Sequence, residues 1–339
     1  MTGVKDKPPV PSAHRPARAT IYEVATLAGV SPATVSRVFN GFNVSAKYAN
    51  AVKKAAAELG FRPNSAARTL RTRTSEVITL VIADIENPFF TALARGVEEV
   101  ARASGYSVVL CNSDEDEERE KTYLAMAAAQ HMAGVIITPA TDHTDVSEWL
   151  AHGTPVVSVD RTLAHANVDA VMVDNQAGAR DATRRLIERG FRRVACVTGP
   201  SGTETADERT SGWRDVMLDH AGVTPERYLV RALAKDSGGR EAMEKLLALP
   251  EPPDAVFVGQ NLMGIGVLEA LASAGISPER FGVSILGDLS FAATLIPPAV
   301  DVFSLPAREM GRTAAQLILE RIAGDKRPPR TVVVRRPAE

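Results

Sequence analysis

Residues 20–40 read TIYEVATLAGVSPATVSRVFN, and the punctuation of that stretch decides how the chain begins to fold. Thr20 is placed to cap a helix, and Glu23, three residues on, can reach back to close a capping box. A first helix is therefore expected from about Ile21. Gly29 can end it in a left-handed conformation, and Ser31-Pro32 supplies a new N-cap followed by proline at the first helical position, where the missing N–H costs nothing. Two short helices thus meet across a tight turn, the unit that lays its second helix in a DNA major groove. On that second helix Val35, Val38 and Phe39 share a face for packing on Val24, Leu27 and Ala28, whereas Ala33, Thr34, Ser36 and Arg37 face outward. The outward face is small and polar and carries one arginine, which suits insertion between phosphates.

Beyond Asn40-Gly41, Ser45 is positioned to cap a third helix running to Leu59, with Gly60 at its end. Phe61-Arg62-Pro63-Asn64 breaks the pattern. Ser65–Leu70 is helix-compatible but far below the ~12 residues at which an isolated helix becomes stable in water, so it should order only when something holds it. Arg71–Ser75 reads as a basic connector. The expected organisation is a disordered basic arm over 1–19, a helix-turn-helix domain over 20–63, a hinge helix and linker over 64–75, and a larger domain over 76–339. Charge follows the same division. Residues 1–75 hold twelve basic against three acidic side chains while the remainder is net acidic, the asymmetry of a nucleic-acid-binding end on an ordinary body. A solvated basic tail is the simpler explanation for 1–19, but six of the twelve lie between Arg37 and Arg68, inside expected structure.

From Val77 apolar runs alternate with helical segments. Strands are expected at Val77–Ala83, Tyr106–Cys111, Val135–Thr138, Val156–Val159, Ala170–Val173, Val194–Thr198, Tyr228–Ala232, Ala255–Val258 and Ser284–Leu286, with a last one around Val332–Val334. Helices such as Leu93–Ser104, Arg119–His131, Ala177–Arg189, Ser211–Ala221, Arg240–Leu249 and Gly264–Ala274 separate them. Short apolar strands in βα alternation demand parallel, doubly wound sheets. The strands are too many for one sheet, so the class is α/β: two Rossmann-like lobes behind a small all-α domain, with a ligand crevice at the carboxyl ends of the strands.

Several functions are argued against. No segment approaches the roughly 18 apolar residues of a membrane span, and the N-terminus lacks a signal-peptide core, so the cytoplasm is the expected compartment. Cys111 and Cys196 lie in apolar runs and should pack as small hydrophobes. The six histidines have no metal or nucleophile spacing, no catalytic constellation is present, and no cofactor or metal is expected. The acidic run Asp114–Glu118 lacks the glycine and spacing of a calcium loop and reads as a solvated loop entering a helix. Gly199-Pro200-Ser201-Gly202 is a strand-to-helix turn rather than a phosphate loop.

Six blocks in this order, TIYEVATLAGVSPATVSRVFN, VSAK…AAAELGFRPN, SAARTL, IENPFF, VTGP and RTSGW, resemble the LacI/GalR family of bacterial repressors from about Ala19 to the C-terminus. The resemblance implies phosphate contacts from Tyr22, Ser31, Thr34, Ser36 and Asn40, and base-facing positions at Pro32, Ala33 and Arg37. Of these only Arg37 can make a bidentate contact to guanine, so direct readout should be thin. It further implies DNA contacts at Asn64, Ala67, Leu70 and Arg71, with Leu70 as a wedge in the minor groove; a contact to the core is the plainer role for that leucine. In the larger domain it implies an effector pocket formed by Asn87, Phe89, Phe90, Asp160, Arg161, Arg209, Gln260, Asn261 and Asp288. Each has a bland alternative: Asn87-Pro88 is a good turn, Asp160 could cap a helix, and Arg209 could be a surface ion pair.

Two departures matter. Gln260-Asn261 stands where the family usually has Asn-Asp, and the expected acidic loop after Ser284–Leu286 is shortened to Gly287-Asp288-Leu289-Ser290. Loss of acids makes an anionic ligand such as a sugar acid or sugar phosphate an alternative to a sugar. The expected function is a non-enzymatic, homodimeric regulator, a repressor that binds a pseudo-palindromic double-stranded operator under control of a sugar or sugar derivative. No leucine heptad follows the last strand, so no tetramerising tail is expected. A sugar receptor with a vestigial N-terminus and an enzyme built on the α/β lobes are the rivals.

Overall fold

The computed structural model describes residues 19–39, 42–61, 75–220, 225–289 and 296–336. The chain divides into two compact units with the boundary between Arg73 and Thr74. The first holds helices α1 (Ile21–Ala28), α2 (Pro32–Phe39) and α3 (Ala46–Glu58). Thr20 and Glu23 close the capping box in both directions, and Gly29 terminates α1 at φ 65°, a left-handed conformation that side chains disfavour. Val24, Ala25, Val35, Val52, Ala55 and Ala56 form the small core, with the rings of Phe39 and Phe61 5.7 Å apart at its edge. Two expectations fail here. Leu27 is 47% exposed, and α1 buries Ala25 in its place beside the expected Val24, with Ala28 packed at the edge. Ser45 occupies the N-cap of α3 without a side-chain capping bond.

The second unit contains two parallel sheets. One orders β11-β5-β4-β3-β1-β2 and the other β10-β9-β8-β6-β7. The first is built from β1 (Val77–Ile82), β2 (Ser107–Asn112), β3 (Gly134–Ile137), β4 (Val156–Val159), β5 (Asp169–Met172) and β11 (Thr331–Val333), the second from β6 (Val194–Thr198), β7 (Leu229–Arg231), β8 (Ala255–Val258), β9 (Gly282–Leu286) and β10 (Val300–Phe303). The intervening helices are α4 (Pro88–Ala103), α5 (Glu117–Ala129), α6 (Ser147–Ala151), α7 (Asn175–Glu188), α8 (Glu204–Leu218), α9 (Asp236–Leu247), α10 (Asn261–Ser273) and α11 (Ala307–Ile322), with a 3-10 turn at Pro225–Tyr228. Helices on both faces explain the near-continuous apolar strands: Ile78, Leu80 and Ile82 enter one core, while Val81 turns to a second with Cys111, Leu124 and Trp149. Both cysteines are free and buried.

The chain leaves the first lobe after β5, builds the second from α7 to β10, and returns with α11 and β11. On its return α11 packs on α4 at an approach only glycine allows: a Cβ on Gly311 would lie 2.1 Å from the Leu93 carbonyl oxygen, and one on Gly96 2.1 Å from that of Arg308. Glu99, on α4, accepts from Arg308 and, at 2.9 Å, from Arg312. The sequence pattern does not reveal α6, β10 and α11. It also starts α8 at Ser211 rather than Glu204, because Glu204–Thr210 is polar on its outer side and carries no apolar stripe.

Candidate functional site

On the first unit, α2 presents Pro32, Ala33 and Arg37 to solvent, with Thr34 and Ser36 half-buried beside them. Tyr22 is 69% exposed on α1. The Ser31 hydroxyl accepts from the Thr34 backbone N–H at 3.2 Å and lies 3.0 Å from the Thr34 hydroxyl, which fixes the helix entry. Exposed Lys47, Lys53 and Lys54 on α3 add positive charge to the same unit. Asn40, Asn64, Ala67, Leu70 and Arg71 lie outside the described residues.

In the second unit a cavity of about 470 Å³ opens between the lobes at the carboxyl ends of both sheets, where open α/β sheets place their ligands. Asn87, Phe89, Phe90, Asp160, Arg161, Arg209, Gln260 and Asn261 line it. Asp288 does not: its carboxylate accepts from Ser304 at 2.6 Å, and only its backbone carbonyl reaches the site's edge, accepting from Asn261 at 3.1 Å.

Each lining group is held by its element. Asn87 caps α4 by accepting from the Phe89 N–H at 2.9 Å, so it is both a turn residue and a wall of the cavity. Phe89 and Phe90 meet edge to face at 5.1 Å and are buried. Gln260 caps α10 by accepting from Met263. Arg209 projects from α8, donates to Asn175 at 2.9 Å and to the Gly259 carbonyl at 2.6 Å, and is buried, so the surface ion pair is set aside. Asp160 follows β4 at φ 70° and caps nothing. Its Oδ1 has no hydrogen-bond partner, nor does Arg161 Nε, and buried polar atoms left so are costly. Burial pushes the Asp160 carboxyl above the ordinary carboxylate range, and the charges of Arg161 and Arg209 pull it part of the way back. Burial likewise lowers Arg209, opposed by Asp160 across the cleft.

The sequence leaves four of the seven charged groups lining the site unseen. Asp84, Asp114, Glu115 and Lys235 also line the cavity. Glu115 grips Arg161 through two bonds of 2.6 Å, so the run Asp114–Glu118 is not simply a solvated loop. Its last part does enter a helix, with Asp116 capping α5, while Asp114 and Glu115 adopt left-handed φ of 57° and 58°. Three of the four non-glycine residues with positive φ among those described, Asp114, Glu115 and Asp160, therefore wall the cavity, and such strain concentrates at functional sites. At the two altered loops the cleft does carry amides rather than acids, Gln260 and Asn261, and Asp288 does not line it, but acids from elsewhere replace them: four carboxylates face three cations. Glu115 engages the two terminal nitrogens of Arg161, and Asp84 engages Lys235 at 2.9 Å, which leaves Arg209 opposite Asp160. That balance suits hydroxyl groups better than a phosphate or carboxylate. Among the described residues no group of His, Cys, Asp and Glu could hold a metal ion, and no helix is long and apolar enough to cross a membrane.

Residues 75–337 match the family model described as periplasmic binding proteins and sugar binding domain of LacI family, and residues 20–64 match bacterial regulatory proteins, lacI family. The chain is 32% identical over 323 residues to the HTH-type transcriptional regulator KdgR of Bacillus subtilis (strain 168), covering 92% of this chain and 94% of that one. Among solved structures it is similar to a transcriptional regulator CelR–cellobiose complex, at 33% identity and TM-score 0.68 over 94% of this chain and 97% of that one. It is also similar to the lac repressor dimer bound to operator and the anti-inducer ONPF, at 25% identity and TM-score 0.82 over 93% and 96%.

Proposed function

Given that the chain belongs to the LacI family and is a DNA-binding transcriptional repressor with a sugar-binding domain, we propose that a small neutral polyhydroxylated ligand in the interlobe cleft controls its affinity for operator DNA. The observation that carries this reading is Asp160 and Arg209, buried on opposite walls of the cleft, an acceptor whose Oδ1 has no hydrogen-bond partner facing a donor. A sugar presents both hydroxyl donors and acceptors and would satisfy them together, with Phe89 and Phe90 as the apolar side. The molecule acts as a dimer, its two α2 helices reading half-sites of a pseudo-palindrome. Tyr22, Ser31, Thr34 and Ser36 set the register on phosphates, and Arg37 supplies the main base contact. Asn40, Asn64, Ala67, Leu70 and Arg71 complete the DNA surface, with Leu70 docked in the minor groove. Ligand binding favours one closure state of the lobes and so decides whether the two hinges can pair.

The similarity to a regulator in complex with cellobiose and to a repressor on its operator supports both halves of this reading. Titration calorimetry with a panel of neutral sugars, sugar acids and sugar phosphates tests it. A neutral sugar should bind and Arg209→Ala should lose it. Tight binding confined to phosphorylated or acidic members, or full affinity in Arg209→Ala, would overturn the assignment.

A further inference from the structure

Among the described residues three contacts cross the cleft. Asn261 donates to Asn87 at 3.0 Å, Thr162 donates its backbone N–H to Glu204 at 2.6 Å, and Lys235 donates to Asp84 at 2.9 Å and to Glu86 at 2.8 Å. Only the last joins opposite charges at the cavity; the other opposite-charge pair between the lobes, Arg336 after β11 with Asp181 on α7, lies away from its lining. We infer that Lys235 is a positioning residue that latches the lobes: its pairing with Asp84 sets how far the cleft is closed before any ligand arrives.

Both ends of this contact are held rigidly. Lys235 occupies the N-cap position of α9, and its backbone N–H donates to the Leu233 carbonyl at 2.8 Å. The first turn of α9 is seated by glycine: a Cβ on Gly238 would lie 2.1 Å from the Leu233 oxygen, and one on Gly239 2.0 Å from that of Met263 on α10. Facing it, Asp84 sits just after β1, and its other oxygen accepts from the Glu86 N–H at 3.0 Å. The two ends are therefore ordered independently, so joining them costs little further entropy. The contacts within the latch are unequal. Glu86 is 71% exposed, so its pair is screened and weak; Asp84 is 8% exposed and Lys235 29%, so this pair has the lower local dielectric and the stronger charge-assisted bond. Asp114 stands 3.9 Å from the same ammonium. Asp84, Glu86 and Asp114 all belong to the first lobe, so without Lys235 their carboxylates would lose the ammonium that the second lobe brings to them.

A consequence follows that rests on the reading of the cleft as a ligand site. A neutral ligand leaves the latch in place and gains from closure, whereas an anionic ligand competes with Asp84 for the ammonium. Lys235 thus contributes to selecting the ligand class as well as the closure state.

The test needs neither ligand nor DNA, so its outcome is independent of the proposed function. Spin labels on Lys121→Cys in α5 and Glu241→Cys in α9, both exposed, report the distance across the mouth in the full-length chain, the two native thiols being buried. The parent should show a dominant short-distance population. Lys235→Met should shift the closed-to-open ratio by about tenfold, Asp84→Asn nearly as much, Glu86→Gln little, and Lys235→Arg should restore closure. High salt should open the parent further than it opens Lys235→Met. The same distance distribution in the parent, Lys235→Met and Asp84→Asn, each folded by circular dichroism, overturns the inference.

Discussion

The recognition helix and the cleft handle charge in opposite ways. On α2 the Arg37 side chain is left in water on a helix fixed by its neighbours' caps, free to meet a phosphate or a guanine edge. In the cleft almost every charge is already engaged, Glu115 with Arg161 and Asp84 with Lys235. A surface that must meet many DNA sequences gains from uncommitted, solvated donors that give fast, salt-sensitive encounter. A site that must convert ligand binding into movement gains when its charges are paired in ways the ligand can rearrange, because only differential interaction with two states shifts their balance.

The most damaging way to separate the two regions is Gly311→Val. Its added atoms meet the Leu93 backbone, and it should cost the two-lobed unit about 3 kcal/mol, seen as a fall of roughly 10 °C in that unit's melting transition. Capping of α1 should be untouched. An unshifted transition would mean that α4 and α11 are not locked as described. Next in size, Arg209→Ala removes a buried donor and should weaken the cleft ligand by about 1.5–3 kcal/mol while ligand-free operator affinity holds, as read by calorimetry and fluorescence anisotropy. Arg37→Ala is the mirror image: operator affinity should fall by about 1–3 kcal/mol with relaxed preference at one base pair, and ligand affinity should not change. If either substitution struck both activities equally, the division of labour would be wrong.

Legibility follows the same line. Every device of the first unit is local: Thr20 with Glu23, Gly29, Ser31-Pro32. Spacing alone is enough to place α1 and α2, and it fails only where packing chooses between flanking positions, as at Leu27. The sheets are legible because strands buried on both faces are apolar throughout. The cleft's first-named residues come from the resemblance, not from spacing. Its charge pairs cannot be read, since Asp84 and Lys235 are 151 residues apart and Glu115 lies in a run whose composition looks solvated. Glu204–Thr210, the part of α8 that carries Arg209 inward, escapes notice because a helix that buries threonine and arginine shows no apolar period.

Two smaller effects sharpen the contrast. Thr20→Ala removes the capping box of α1 and should cost the first unit about 1 kcal/mol, measured by hydrogen exchange of the α1 amides, with the lobes unaffected. Smaller still is the Glu99 clamp of the second unit. Hydrogen bonds from Arg308 and then Arg312 hold its carboxyl down to about 2. A carboxyl held low contributes stability above its ordinary value of ~4.3 and loses it as the pH falls toward the lowered one. The melting difference between the parent and Glu99→Gln should therefore be present at neutral pH and shrink as the pH falls from that value toward the lowered one; a constant difference would show that the clamp is steric.

The central claim is that the cleft and the recognition helix are thermodynamically coupled. Operator affinity measured by fluorescence anisotropy, with and without saturating amounts of the sugar found by calorimetry, tests it directly. A change of about 5- to 150-fold is predicted, abolished in Arg209→Ala. Equal operator affinity in both conditions, for a ligand that Arg209→Ala no longer binds, would contradict it.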